Sequence, residues 1–112
     1  MSAIGNEERL LIVDDEEINR AILANIFDCE YAIMEAEDGQ AGLELIQSHT
    51  EPFSAILLDV VMPRLNGMEL LRLLAKQGIT KKTPVFLITS DAANATMREA
   101  YALGVMDVIL KP

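Results

Sequence analysis

Residues 55–67 read AILLDVVMPRLNG. The run from Ala55 to Leu58 has the length and unbroken apolarity of a strand buried on both faces, and it stops on a carboxylate, Asp59. Apolar residues resume at Val60, Val61 and Met62 until Pro63 breaks the chain. An acid at the end of a buried strand can simply turn the chain. What decides between that and a chemical role is whether other strands end the same way.

Four more short apolar runs occur, at Leu10–Val13, Tyr31–Met34, Val85–Ile88 and Val108–Leu110. Helical spacing fills the intervals. Ile18, Ile22 and Ile26 recur every fourth residue; Ala41, Leu45 and Ile46 form a second stripe, and Met68, Leu71, Leu74 and Ala75 a third. A fourth helix is predicted from about Ala92 to Leu103, with Met97, Ala100 and Tyr101 on one face and Gly104 as its stop. Gly39, Gly67 and Pro84 punctuate loops. Strand alternating with helix predicts an α/β domain with a parallel sheet and helices on both faces.

In such a sheet, ligands bind beyond the carboxyl ends of the strands. Asp14 and Asp15 follow the first run, Asp59 the third, Thr89 and Ser90 the fourth, and Lys111 the fifth. Singly, each could cap a helix or turn the chain, as Asp15 could before Ile18. Jointly they place three acids, hydroxyls and one base on one rim. Neighbouring strands lie about 4.8 Å apart. If strands one and three are adjacent, two ionised carboxylates about 4 Å apart repel by roughly 4 kcal/mol at an effective dielectric of about 20. Either a proton or a cation must enter. An open, all-oxygen cluster suits Mg²⁺, which also accepts phosphate oxygens. With Lys111 and a hydroxyl to neutralise a phosphoryl group, one carboxylate could attack phosphorus.

The rest of the chain bounds this reading. At 112 residues it holds one core, and no apolar run reaches the length of a membrane span. The net charge of −9 is uneven: residues 1–59 carry 14 acids and 2 bases, whereas 60–112 carry 4 acids and 7 bases. Direct nucleic-acid binding is not expected of such a surface. Cys29 cannot form an internal disulfide, which fits the cytoplasm, and its acidic neighbours disfavour a thiolate. His49 reads as a loop residue, and Met34, Met68, Met97 and Met106 as core fillers.

The stretches LLIVDDEE, ILLDVVMPRLNG, FLITS and VILKP, in this order and spacing, resemble the receiver domain of two-component response regulators from about Arg9 to Pro112. The resemblance implies a flavodoxin-like, doubly wound five-stranded parallel sheet of order 2-1-3-4-5, with residues 1–8 as an N-terminal extension and 9–112 as the receiver. It implies Asp59 as phosphoacceptor, and a Mg²⁺ site of Asp14, Asp15, Asp59 and the backbone carbonyl of Val61. Thr89 would be the hydroxyl that moves to the phosphoryl group and Lys111 its ion-pair partner, followed by a cis bond to Pro112. The donor would be a phosphohistidine on a sensor histidine kinase or histidine phosphotransfer protein. The output would be a reshaped surface around the fourth helix and fifth strand. A receiver is a signalling domain that catalyses its own phosphorylation and dephosphorylation, not a free-standing enzyme.

Three departures from the family pattern qualify these expectations. Val108 stands where the family usually has an aromatic ring that turns inward. Val61 offers no side chain to steer water, so the phosphoryl group should outlast that of Val61→Asn. No fifth helix follows Lys111, which should leave apolar surface for a homodimer or for a missing C-terminal output domain. Rival readings fit less well. A haloacid dehalogenase-type phosphatase needs an acid where Val61 stands, and Asp14 to Glu17 would repel the phosphate of a flavin. A degenerate receiver, an unphosphorylated interaction module, is favoured by Val108 but opposed by the intact acids, Thr89 and Lys111.

Overall fold

The computed structural model describes residues 8–48, 52–60, 65–90 and 94–111. Its elements alternate as expected: β1 (Arg9–Val13), α1 (Glu17–Phe27), β2 (Ala32–Ala36), α2 (Gly39–Ser48), β3 (Ala55–Asp59), α3 (Gly67–Lys76), a 3₁₀ turn at Ile79–Lys81, β4 (Val85–Thr89), α4 (Asn94–Leu103) and β5 (Asp107–Leu110). The strands form one parallel sheet of order β2-β1-β3-β4-β5. This is the doubly wound, flavodoxin-like order, and four α-helices cover it among the described residues.

The three central strands are the uniformly apolar ones because both their faces are covered. Side chains alternate across the sheet, so Leu11, Val13, Ile56, Leu58, Val85 and Leu87 enter one core with Leu70, Leu71 and Leu74 of α3 and Ala100 of α4. Leu10, Ile12, Leu57 and Ile88 face the other way, against Leu23, Ala24 and Phe27 of α1. Register sets the rim that matters. Val13 pairs with Leu58, Asp59 with Ile88, and Thr89 with Leu110, so the residues at these strand ends share one edge.

Several expectations need correcting. The second strand is Ala32–Ala36, not Tyr31–Met34, and it includes Glu35. As an edge strand with β1 as its one neighbour, it tolerates an acid pointing outward. In α1 the stripe of Ile18, Ile22 and Ile26 is 75%, 54% and 60% exposed, and the helix packs instead through Leu23, Ala24 and Phe27. In α4, Ala100 is buried but Tyr101 is exposed, its hydroxyl donating to Asp107 Oδ1 at 2.8 Å. Met68 is buried, whereas Met106 is exposed at the turn before β5. Gly39 and Gly67 are not loop residues but the first residues of α2 and α3. Ala92, where the fourth helix was expected to begin, and His49 lie outside the described residues, as do Val61 and Pro112.

Candidate functional site

The carboxyl rim gathers the predicted acids. Asp14 follows β1 directly and is 2% exposed; Asp59 ends β3 and is 4% exposed; Asp15 is open to solvent. One carboxylate oxygen from each lies within 4.8 Å of the other two. Lys111, immediately after β5, reaches across the rim with its ammonium 3.0 Å from Asp59 Oδ1 and 3.8 Å from Asp14 Oδ2. At the end of β4, on the same rim, Thr89 is buried and Ser90 exposed.

Electrostatics follow from this crowding. Burial pushes the Asp59 pKa up; the Lys111 hydrogen bond opposes it, and the charges of Asp14 and Asp15 add to the rise. Burial alone would lower the Lys111 pKa, but the hydrogen bond and attraction of Asp59, with Asp14 beyond, hold its ammonium above the ordinary value. One lysine cannot balance three carboxylates. The unpaid charge fits a divalent cation: the donors are all oxygen, two are desolvated, and one is open to water, as a partly hydrated Mg²⁺ requires.

Local structure holds the acids in place. The Asp14 N–H donates to the Ala36 carbonyl at 3.1 Å, and Asp14 Oδ1 accepts from the Glu16 N–H at 2.9 Å. After Asp59 the chain passes Val60, whose N–H donates to Ile88 and whose carbonyl accepts from Gly67 at 2.9 Å. α3 then starts with a reciprocal cap, Asn66 accepting from the Glu69 N–H while Glu69 accepts from the Asn66 N–H. Sequence reasoning passed over Arg20, whose guanidinium donates to the Asp14 carbonyl at 2.7 Å. Its spacing from Asp14 matches no pattern, so only the folded chain shows the contact.

A buried acid pair, an exposed third acid, a lysine and a hydroxyl on one rim of a 2-1-3-4-5 sheet form a specific constellation. The family model for the response regulator receiver domain matches residues 10–112. The chain is a response regulator receiver domain. This receiver is 37% identical over 106 residues to "Regulator of RpoS" from Escherichia coli K12, covering 94% of the chain and 30% of that protein. It thus spans less than a third of that relative's length. Chemotaxis protein CheY4 of Vibrio cholerae is 28% identical, with a TM-score of 0.83, over 95% of this chain and 88% of that one. Response regulator TrrA of Thermotoga maritima, solved in complex with Mg²⁺-BeF, is 26% identical with a TM-score of 0.80, over 94% and 87%. The receiver is accordingly a signalling domain that carries the acid cluster of a phosphoaccepting switch. Among the described residues, no helix is long and apolar enough to cross a membrane.

Proposed function

We propose that Asp59 is the phosphoacceptor and that its phosphoryl group comes from a phosphohistidine of a sensor histidine kinase or histidine phosphotransfer protein. The position of Asp59 carries this reading: a buried carboxylate at a strand end, 3.0 Å from an ammonium and within reach of two further acids. An Asp59 carboxylate oxygen attacks phosphorus while the bond to the donor imidazole nitrogen breaks, the nitrogen keeping the electron pair. Lys111 holds positive charge where negative charge gathers on the phosphoryl oxygens. Thr89 supplies a hydroxyl from the adjacent strand end. Asp14, Asp15 and Asp59, with the Val61 carbonyl that the family resemblance adds, would hold Mg²⁺, which would supply neutralising charge for the incoming group.

Residues 9–112 form this receiver, with 1–8 as an extension, in the cytoplasm. The altered surface lies around α4 and β5, where a second copy of the chain or an output domain reads it. Val108 is half-buried against the core on the α4 side, so the change there is aliphatic repacking rather than the swing of a ring. Incubation with Mg²⁺ and acetyl phosphate, followed by intact-mass measurement, tests the reading. The expected result is gain of one phosphoryl group, absent in Asp59→Ala and in EDTA. A protein that gains none under any of these conditions is the degenerate interaction module instead.

A further inference from the structure

Arg20 sits at the end of the first turn of α1, and its side chain is only 14% exposed. It folds back under the helix toward β1 and β2. There Nη1 donates to the Asp14 carbonyl at 2.7 Å, and Nε donates to Glu35 Oε1 of β2 at 3.0 Å. Asp14 is thereby held at every polar atom. Its N–H goes to Ala36, its carbonyl to Arg20, its Oδ1 to the Glu16 N–H, and its Oδ2 faces Lys111 at 3.8 Å. Three of these bonds tie the residue to β2, α1 and the intervening loop, and the fourth points into the site.

The chemistry of the guanidinium suits this place. Its planar fork makes two directed bonds at once, to a backbone oxygen and to a carboxylate, which a lysine ammonium does with less geometric constraint. The charge lies on the backbone side of Asp14. It can therefore ease the repulsion among the acids without taking up the face on which a cation binds. Glu35, 42% exposed, orients the guanidinium from the neighbouring strand.

We propose that Arg20 is a positioning residue for Asp14 and, with Glu35 orienting it, sets how tightly the acid cluster holds its divalent cation. The proposal rests on the reading of Asp14, Asp15 and Asp59 as a Mg²⁺ site. Groups behind a metal ligand characteristically alter affinity by about 10–100-fold when removed. An ordinary helix-anchoring ion pair, by contrast, would change stability and leave cation affinity alone.

The test is a Mg²⁺ titration of the full chain, followed by circular-dichroism melting, with the midpoint of Mg²⁺-dependent stabilisation as the readout. Arg20→Met should raise that midpoint about tenfold. Glu35→Gln should raise it less, and Arg20→Lys should fall between Arg20→Met and wild type. Arg72→Met, which breaks an exposed α3–α4 pair with Glu99, should leave the midpoint in place whatever it does to the metal-free melting temperature. An Arg20→Met midpoint equal to wild type, when Asp15→Asn has lost the Mg²⁺ response, overturns the role of Arg20 and leaves the cation site standing. A wild-type protein with no Mg²⁺-dependent stabilisation overturns the site and the proposal together. If Arg20→Met does not fold, graded rises in Arg20→Lys and Glu35→Gln support the proposal, and unchanged midpoints in both overturn it.

Discussion

Burial holds the proton of Asp59 more tightly than usual, and the carboxylates of Asp14 and Asp15 reinforce this against the pull of Lys111. In the unfolded chain the same group titrates near the ordinary aspartate value of about 3.9. The folded state therefore binds more protons between that value and the raised one, and stability must fall with rising pH across that window. The contribution is fully present below the unfolded value and is lost as pH rises through the folded one. In EDTA, wild type should thus lose stability relative to Asp59→Asn as pH climbs through the window, with a constant difference on either side. Urea unfolding at a series of pH values measures it; a pH-independent difference would contradict the electrostatic account. Saturating Mg²⁺ should shrink the effect, because a cation stabilises the ionised form. Most of this site was legible in the sequence because Asp14, Asp59, Thr89 and Lys111 each close an apolar run, and sheet topology turns run-ends into neighbours. Arg20 was not legible. Its target is a backbone carbonyl, which leaves no trace in residue type.

Among the elements, the starts of α2 and α3 are packed more closely than any side chain would allow. A Cβ on Gly39 would fall 2.0 Å from the Leu65 carbonyl oxygen, and one on Gly67 would fall 2.0 Å from the Asp59 carbonyl oxygen. Both contacts press on backbone at Leu65 and at Asp59, so helix placement and site geometry are one problem. The predicted role of these glycines as loop punctuation found the right positions for the wrong reason. What they supply is the missing Cβ. Gly39→Ala should cost about 1–3 kcal/mol, since backbone rather than a flexible side chain must give way. Gly42 is the comparison: its Cβ would meet Val13 Cγ2 at 3.1 Å, and alanine recovers up to about 1 kcal/mol of helix propensity. Gly42→Ala should therefore be near neutral, and denaturant midpoints should separate the two. α1 teaches a related point. Its periodicity was read correctly as a helix, but two apolar faces compete on it, and only the packed neighbours decide which one is covered.

For the molecule as a whole, the two faces of the sheet are unequal. Among the described residues, α2, α3 and α4 close one face over a large core, whereas α1 alone covers part of the other. Beside α1 runs an apolar groove of about 360 Å³, lined by Ile22, Ile26, Phe27, Ile88, Ile109 and Leu110 and reaching Asp14 and Lys111 at the rim. Apolar surface was expected in the domain, and the described residues expose it here. The asymmetry has a measurable consequence for stability. Leu71, fully buried on the inner face of α3, should cost about 2–5 kcal/mol when cut to alanine, because the loss includes a cavity. Ile26, 60% exposed at the groove, should cost no more than about 0.5 kcal/mol in Ile26→Ala. Equal costs for the two would mean that the groove is covered in solution. The dependence of the Ile26→Ala difference on protein concentration then identifies the cover. A difference that grows with concentration requires a second copy, since mass action stabilises only an assembled state, whereas a constant one requires a segment of the same chain.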